Sequence, residues 1–451
     1  MENNINFGDT AIRKLFFRFL IPTVLGMLFS AIFIITDGIF VGKGLGSDAL
    51  AAVNLVAPIY MLATGVGLMF GMGGSIIAAI RLSRRQNRLA NITITQAILI
   101  PAIGMTIVTL IILIFRQGII QLLGTPAELY DLADEYLFYF ALFLMPGTLV
   151  SVFMFIIRLD NAPKFAMLCN IIAAVLNILF DYLFIFVFKW GMMGAAVATG
   201  IGIMVEILLM LIYMFRYSKT LHFSPLKGDA RNLRFTTRSV NRIMQAGSPA
   251  LLSELAISCL MIVGNYIFIR YTGKDGVAAF SIACYTFPII FMIYSGIIQA
   301  AQPIISYNHG ARNRRRVQDT LLLALKTSGI CGLLFFLANC FFNHQVISLF
   351  LRADSPAYAI ASGGLPYFAA GYLFFGLNIT AIGYYQSIEK GRLAARLTIL
   401  RGIILLTACF LLLPPLLGVR GIWLALPAAE LITLFIILLL YRRQTTVPLK
   451  N

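Results

Sequence analysis

The chain has 451 residues, 60% of them hydrophobic and only 12% charged, and carries a formal net charge of +17. A soluble protein has about 25% charged residues, and the cores of two or three soluble domains could not hide this much apolar surface. Composition therefore excludes an ordinary soluble enzyme or binding module and points to a chain partly solvated by lipid.

Twelve apolar runs follow one another, at about 14–42, 47–80, 92–115, 133–157, 163–188, 191–215, 242–270, 276–307, 318–341, 358–387, 395–415 and 420–441. Each reaches the roughly 20 residues that cross ~30 Å of hydrocarbon as a helix. They are continuous rather than alternating, which predicts helices and not barrel strands. The first run is too long for a cleavable signal peptide and no small-residue cleavage pattern ends it. It holds Pro22 and a lone acid, Asp37. The second has a small residue at every fourth position, Ala63, Gly67, Gly71, Ser75 and Ala79, a stripe expected to let another helix approach closely. Prolines inside several runs mark possible bends. The six cysteines sit singly in apolar runs and are expected to be small core residues, neither disulfides nor ligands.

The charge follows the runs. With an even number of spans both termini share one side. On that side lie 27 Lys and Arg, of which the basic stretch 216–241 and its flank supply seven; the opposite loops hold 7, and Lys326 falls inside the ninth run. This asymmetry predicts that both termini are cytoplasmic, and it accounts for the basic composition without a nucleic-acid partner.

The chain also repeats itself at an offset of 227. Pro22 meets Pro249, Gly46 meets Gly273, Arg85 meets Arg312, and Gly194 meets Gly421. The expected organisation is an all-α integral membrane protein of twelve transmembrane helices in two six-helix lobes, related by a pseudo-two-fold axis along the membrane normal. The lobes are 1–215 and 242–451, joined by a basic cytoplasmic linker at 216–241. Secondary transporters share this plan, with the substrate between the lobes.

Five acids lie inside apolar runs: Asp37, Asp181, Glu206, Glu254 and Glu430. Each costs about 2.5–3.5 kcal/mol or more if charged at mid-membrane. Asp37 lies six residues before Lys43, so ~9 Å from the outer end; Asp181 lies eight before Lys189, ~12 Å. Asn177 shares a face with Asp181, and Thr199 lies eight residues into the sixth run at the same depth. These all-oxygen groups suit a hard cation such as Na⁺, and two neighbouring buried carboxylates also suit proton storage. Glu254 sits near the middle of the seventh run as a possible second-lobe coupling or substrate site, while Glu206 and Glu430 are expected to be hydrogen-bonded packing acids.

The segments "IPTVLGMLFSAIFIITDGIFVGKGLGSDALAAVNLVAP", "RLDNAPKFAMLCNIIAAVLNILFDYLFIF" and "GMMGAAVAT", with the spacings from Pro22 to Asp37 and from Asn177 to Asp181 and Thr199, resemble the multidrug and toxic compound extrusion (MATE) family over nearly the whole chain. The resemblance implies export of amphipathic, often cationic compounds in exchange for H⁺ or Na⁺. It implies that Asp37, Asn177, Asp181 and Thr199 form a cation site, that Pro22 permits the first helix to bend, and that Glu254 matches the family's seventh-helix acid. Some members pair that acid with an Asp in the tenth helix; here that helix offers only Asn378 and Gln386 before Glu389.

The alternative is a lipid-linked oligosaccharide flippase of related architecture. That function needs intramembrane Arg or Lys for phosphate, and only Lys326 lies within a run. An enzyme is not expected: His222, His309 and His344 lie in loops or at helix ends, H-E-x-x-H is absent, and "VGKG" lacks the remainder of a P-loop. No cofactor is expected beyond the coupling ion. The expected partners are small organic substrates and membrane lipid, in a protein working as a monomer in the plasma or inner membrane.

Overall fold

The computed structural model describes residues 7–123, 125–224 and 230–446, the side chains of 230–236 and 443–446 excepted. Of the expected linker, 225–229 and the side chains up to 236 lie outside the described residues. Among the described residues there is no strand. The main helices are α1 (Ile12–Gly44), α2 (Ser47–Ser83), α3 (Asn87–Ile114), α4 (Tyr130–Ala141), α5 (Leu144–Leu159), α6 (Pro163–Asp181), α7 (Gly191–Ile212), α8 (Ala230–Gly310), α9 (Arg314–Ser348), α10 (Pro356–Ser387), α11 (Gly391–Ile399), α12 (Leu406–Leu417) and α13 (Val419–Thr446). π-helical stretches extend α6 (Tyr182–Val187) and α7 (Tyr213–Tyr217) and join α11 to α12 (Leu400–Leu405).

Two departures from the expected runs have local causes. The fourth run is not one helix: α4 and α5 meet at a 51° bend. Pro146 stands on the α5 side of the bend, where it can give no N–H to the Leu142 carbonyl and its ring crowds that carbonyl. The seventh and eighth runs are continuous in backbone hydrogen bonding, but Gly273 breaks α8 into two arms with φ 65° and ψ −152°. Unbroken, Thr237–Gly310 would be 74 residues, or about 110 Å long, far beyond the ~30 Å of a bilayer core. Glycine takes that conformation without the Cβ penalty. With α4 and α5 as one span and the arms of α8 as two, the twelve runs are accounted for.

The backbone carries the repeat more sharply than the side chains do. Left-handed φ values recur at Gly46 and Gly273, at Arg85 and Arg312, and at Gly191 and Gly418, each pair 227 apart; Asn161 and Glu389 form a fourth pair, 228 apart. These are the turns between spans. Their recurrence ties the two halves by conformation, independently of apolar composition.

The chain divides into two compact units, Met1–Leu251 with Ser306–Arg314, and Leu252–Ile305 with Arg315–Asn451. In the first, the small-residue stripe of α2 receives α5. A Cβ on Gly67 would lie 2.6 Å from the Thr148 carbonyl, one on Gly71 would lie 2.9 Å from Val152 Cα, and the Thr148 hydroxyl lies 3.1 Å from the Ala63 carbonyl and 2.9 Å from that of Leu144, donating to one of them. The same helix meets the start of α8 backbone to backbone: a Cβ on Gly247 would lie 1.8 Å from the Met69 carbonyl oxygen. We expect Gly247→Ala to cost about 1–3 kcal/mol, read as a lower melting temperature in detergent. Gly104→Ala, where nothing lies within 4 Å, should leave it unchanged or raise it.

The second unit is centred on rings. Trp423 packs edge-on to Phe268 at 4.7 Å, Phe268 stacks on Phe280 at 4.8 Å, and Phe287 meets Phe375 at 4.8 Å. The outer faces are apolar in helical register: Ile103, Ile107, Leu110 and Ile114 on α3 are 52–73% exposed. Such a stripe is explained by lipid. The expectation for the cysteines holds in part. All six are free, but only Cys169 and Cys409 are buried, and Cys340 is exposed on a helix face rather than in a core.

Candidate functional site

Three helices of the first unit bring the predicted polar layer together. α6 rises from Pro163, whose missing N–H suits a helix start, and turns Asn177 and Asp181 inward; they are 1% and 0% exposed. α7 places Thr199 opposite them, 7% exposed. Gly202 lets α6 and α7 close up, since a Cβ there would lie 3.1 Å from the Ala173 carbonyl. α1 contributes half-buried Asp37.

The Asn177 amide donates to the Thr199 hydroxyl at 3.3 Å. That hydroxyl lies 3.2 Å from the Ala195 carbonyl and 3.5 Å from Asp37 Oδ1, and donates to one of them. The Asp37 and Asp181 carboxyls are close enough to interact directly. Both oxygens of Asp181 and the Asn177 Oδ1 are buried without a donor. Burying such oxygens unsatisfied costs on the order of 1–3 kcal/mol each, more when charged. Two carboxylates and neutral oxygens, short of donors, fit a small monovalent cation or a proton. Among the described residues no group of three or more His, Cys, Asp and Glu could hold a metal ion.

Tyr136 on α4 belongs to this neighbourhood and escaped sequence reasoning. It is 6% exposed and close enough to feel the charge of both Asp37 and Asp181. No sequence signal separates it from the other 17 tyrosines.

Elsewhere the acids sort differently than expected. Glu430 is indeed hydrogen-bonded: Oε1 takes Arg401 at 2.9 Å, and Asn378 donates to Oε2 at 2.7 Å and to the Glu430 carbonyl at 2.8 Å. Two expectations are corrected here. Arg401, one of the 27 Lys and Arg assigned to the cytoplasmic side, is no loop cation. It lies in the π-helical stretch between α11 and α12, is 3% exposed, and stacks 4.8 Å over Phe375. It is thus a buried cation inside a run, whereas Lys326 is exposed on α9. Glu206 is no hydrogen-bonded packing acid: it is 6% exposed and its Oε1 has no partner. The cause is geometric, because Arg401 reaches Glu430 and no cation among the described residues reaches Glu206. Glu254 is half-buried on the first arm of α8. Asn378, a possible tenth-helix partner for it, spends its amide on Glu430.

The repeat does not duplicate the polar layer. At an offset of 227, Asp37, Asn177, Asp181 and Thr199 correspond to Gly264, Ile404, Ala408 and Leu426. At Gly264 the ring of Phe280 fills the space, 2.5 Å from where a Cβ would be. One half carries acids and the other carries rings.

A duplicated helical membrane fold with one polar layer in its first half defines a two-lobed transporter architecture. A sequence model of the MatE family matches residues 22–183 and again 249–411, so the two matches begin at the repeat-related Pro22 and Pro249. The chain belongs to the MatE family. Multidrug export protein MepA of Staphylococcus aureus (strain N315) is 26% identical over 442 residues, covering 96% of this chain and 95% of that protein. The outward-facing conformation of a multidrug resistance MATE family transporter of the MOP superfamily superposes with a TM-score of 0.88 at 24% identity, over 96% of both chains. A MOP superfamily transporter from Pyrococcus furiosus does so with a TM-score of 0.89 at 23% identity, over 98% of this chain and 97% of that one.

Proposed function

We propose that this protein is a secondary active antiporter that exports amphipathic, cationic organic compounds in exchange for inward-moving H⁺ or Na⁺ by alternating access. The observation that carries the reading is the Asp37–Asp181 layer inside apolar helices, where both Asp181 oxygens and the Asn177 amide oxygen are buried without donors. Relatives named for multidrug export support the substrate class. The cation or proton relieves the cost of the buried charge, and occupancy favours the conformation in which the layer is closed around it. An ion shifts such an equilibrium only by its difference in affinity for the two states. Linkage then makes ion and substrate weaken each other's binding by the same factor. Pro22, which removes one hydrogen bond from α1, is the flexing point. The excess of cations on one face supports a plasma or inner membrane location with both termini in the cytoplasm.

The flippase reading is the weaker one, because Arg401 is spent on Glu430 and forms no cradle for phosphate. Glu254, whose carboxylate has no partner among the described residues, supplies attraction for a cationic substrate. Glu254→Gln is expected to weaken ethidium binding about tenfold, the worth of some 1.4 kcal/mol of charge attraction, with the ion dependence of binding intact. Equilibrium dye binding at two pH values checks it.

The test of the function is ethidium export from proteoliposomes with a pH gradient or a Na⁺ gradient imposed separately. A response to one gradient supports the antiporter and names its ion. No response to either, with transfer of a lipid-linked sugar instead, would replace it with the flippase.

A further inference from the structure

Glu206 has no part in the layer above, yet its position is not arbitrary. Thr199, Glu206 and Tyr213 follow one another at intervals of seven along α7 and its π-helical extension. Seven residues are two turns, about 10.5 Å, and return to within ~20° of the same face. The facing helices repeat the interval: Thr23, Ser30 and Asp37 on α1, Asn170 and Asn177 on α6. These stripes meet. Asn177 touches Thr199 at 3.3 Å, and one level further from Asp37 the Ser30 hydroxyl donates to Asn170 Oδ1 at 3.0 Å. Glu206 stands at that second level. At the third, the Tyr213 hydroxyl donates to Asp160 Oδ2 at 2.8 Å, and Asp160 also accepts from the backbone N–H groups of Lys219 and Thr220.

Two buried groups on this column lack partners. Glu206 is 6% exposed with Oε1 unsatisfied, and Thr23 is 2% exposed with Oγ1 unsatisfied. Glu430, at mid-span in the other unit, is neutralised by Arg401; Glu206 is not. An unpaired buried carboxylate costs several kcal/mol, and a proton is the smallest thing that removes the charge. α7 packs on α4, α5 and α6. The ionisable groups these present are Tyr130, Asp131, Asp134, Glu135, Tyr136 and Tyr139 on α4, Arg158 at the inner end of α5, and Lys164, Cys169 and Asp181 on α6. Cys169 is the one close enough to feel the Glu206 charge directly.

We propose that this face of α7 conducts the coupling proton from the Asp37–Asp181 layer to the side that the basic loops mark as cytoplasmic, with Glu206 as intermediate carrier and the Tyr213–Asp160 pair at the mouth. The inference rests on the reading of the layer as the coupling site, with H⁺ as the ion. The proton leaves the Asp37–Asp181 pair and adds to a Glu206 carboxylate oxygen through water hydrogen-bonded to Asn177, Ser30 and Asn170. It leaves Glu206 past Tyr213 to bulk water. Only O–H bonds break and form, and each carboxylate regains its charge after release.

The experiment compares wild type, Glu206→Gln, Glu206→Asp and Asp37→Asn in proteoliposomes, with ethidium as the probe. Glu206→Gln is expected to melt like wild type, to bind ethidium with unchanged affinity and unchanged pH dependence, and to lose about tenfold or more of its pH-gradient-driven export rate, on the scale of a missing proton-transfer group. Glu206→Asp, which keeps the carboxyl, should recover most of that rate. Export by Glu206→Gln at the wild-type rate overturns the relay and leaves the coupling site standing. Loss of ethidium binding or early melting in both Glu206 variants makes Glu206 structural and also overturns it. A wild type that ignores the pH gradient overturns the relay; if it answers a Na⁺ gradient the layer stands as the coupling site, and if it answers neither, that reading falls as well.

Discussion

Asp37→Asn is expected to abolish ion-driven export while the protein inserts and melts like the wild type. The amide keeps the shape of the side chain and can still meet Thr199, 3.5 Å away. What it removes is one of the two charges that make the layer attractive to a cation. Asp181 alone, fully buried and without donors, then has no partner with which to share a proton. Coupling between sites is typically worth 1–3 kcal/mol, a 5–150-fold effect on affinity. Ethidium affinity that depends on the coupling ion in wild type should therefore become independent of it in Asp37→Asn, and Asp181→Asn should behave alike. The measurement is dye binding with and without the ion, beside export from loaded vesicles. Full export by Asp37→Asn would remove the site from the mechanism.

The second large effect is one of stability. Arg401 and Glu430 form an ion pair at 2.9 Å with side chains 4% and 3% exposed. Removing one partner of such a pair leaves an uncompensated buried charge, which costs about 3–5 kcal/mol. Glu430→Ala does so, takes one of the two acceptors from the Asn378 amide, and should sharply lower the melting temperature and the yield of inserted protein. Arg401→Met with Glu430→Gln removes both charges together and keeps an acceptor for Asn378. It is expected to melt close to wild type, because a buried pair is often replaceable by neutral groups at no net cost. A double variant as unstable as the single one would mean that the stacking of Arg401 on Phe375, 4.8 Å apart, matters more than the charge.

These two constellations divide what each level of description holds. The run lengths and the asymmetry of Lys and Arg follow from the bilayer, which acts on every residue alike, and they were legible residue by residue. The repeat was legible because turns need particular conformations: Gly46 and Gly273 recur in sequence and recur as left-handed turns. The layer of Asp37, Asn177, Asp181 and Thr199 was legible as depth, since a helix rises by a constant ~1.5 Å per residue. Depth and face do not say what stands opposite. Glu206 and Glu430 look the same in one dimension, a single acid in an apolar run. One meets an arginine 29 positions away in the chain and the other has an oxygen with no partner, a difference set by how helices pack. Arg401 reads as a loop cation in one dimension because it lies near the start of its run. Tyr136 was indistinguishable among many aromatics until the bend between α4 and α5 had placed it. The membrane fold, its duplication and the level of the polar layer are written in the order of residues, because solvent, turn stereochemistry and helix rise act locally. Which buried charges are neutralised and which stay available for an ion was decided only by tertiary structure, because pairing depends on contacts between helices distant in the chain.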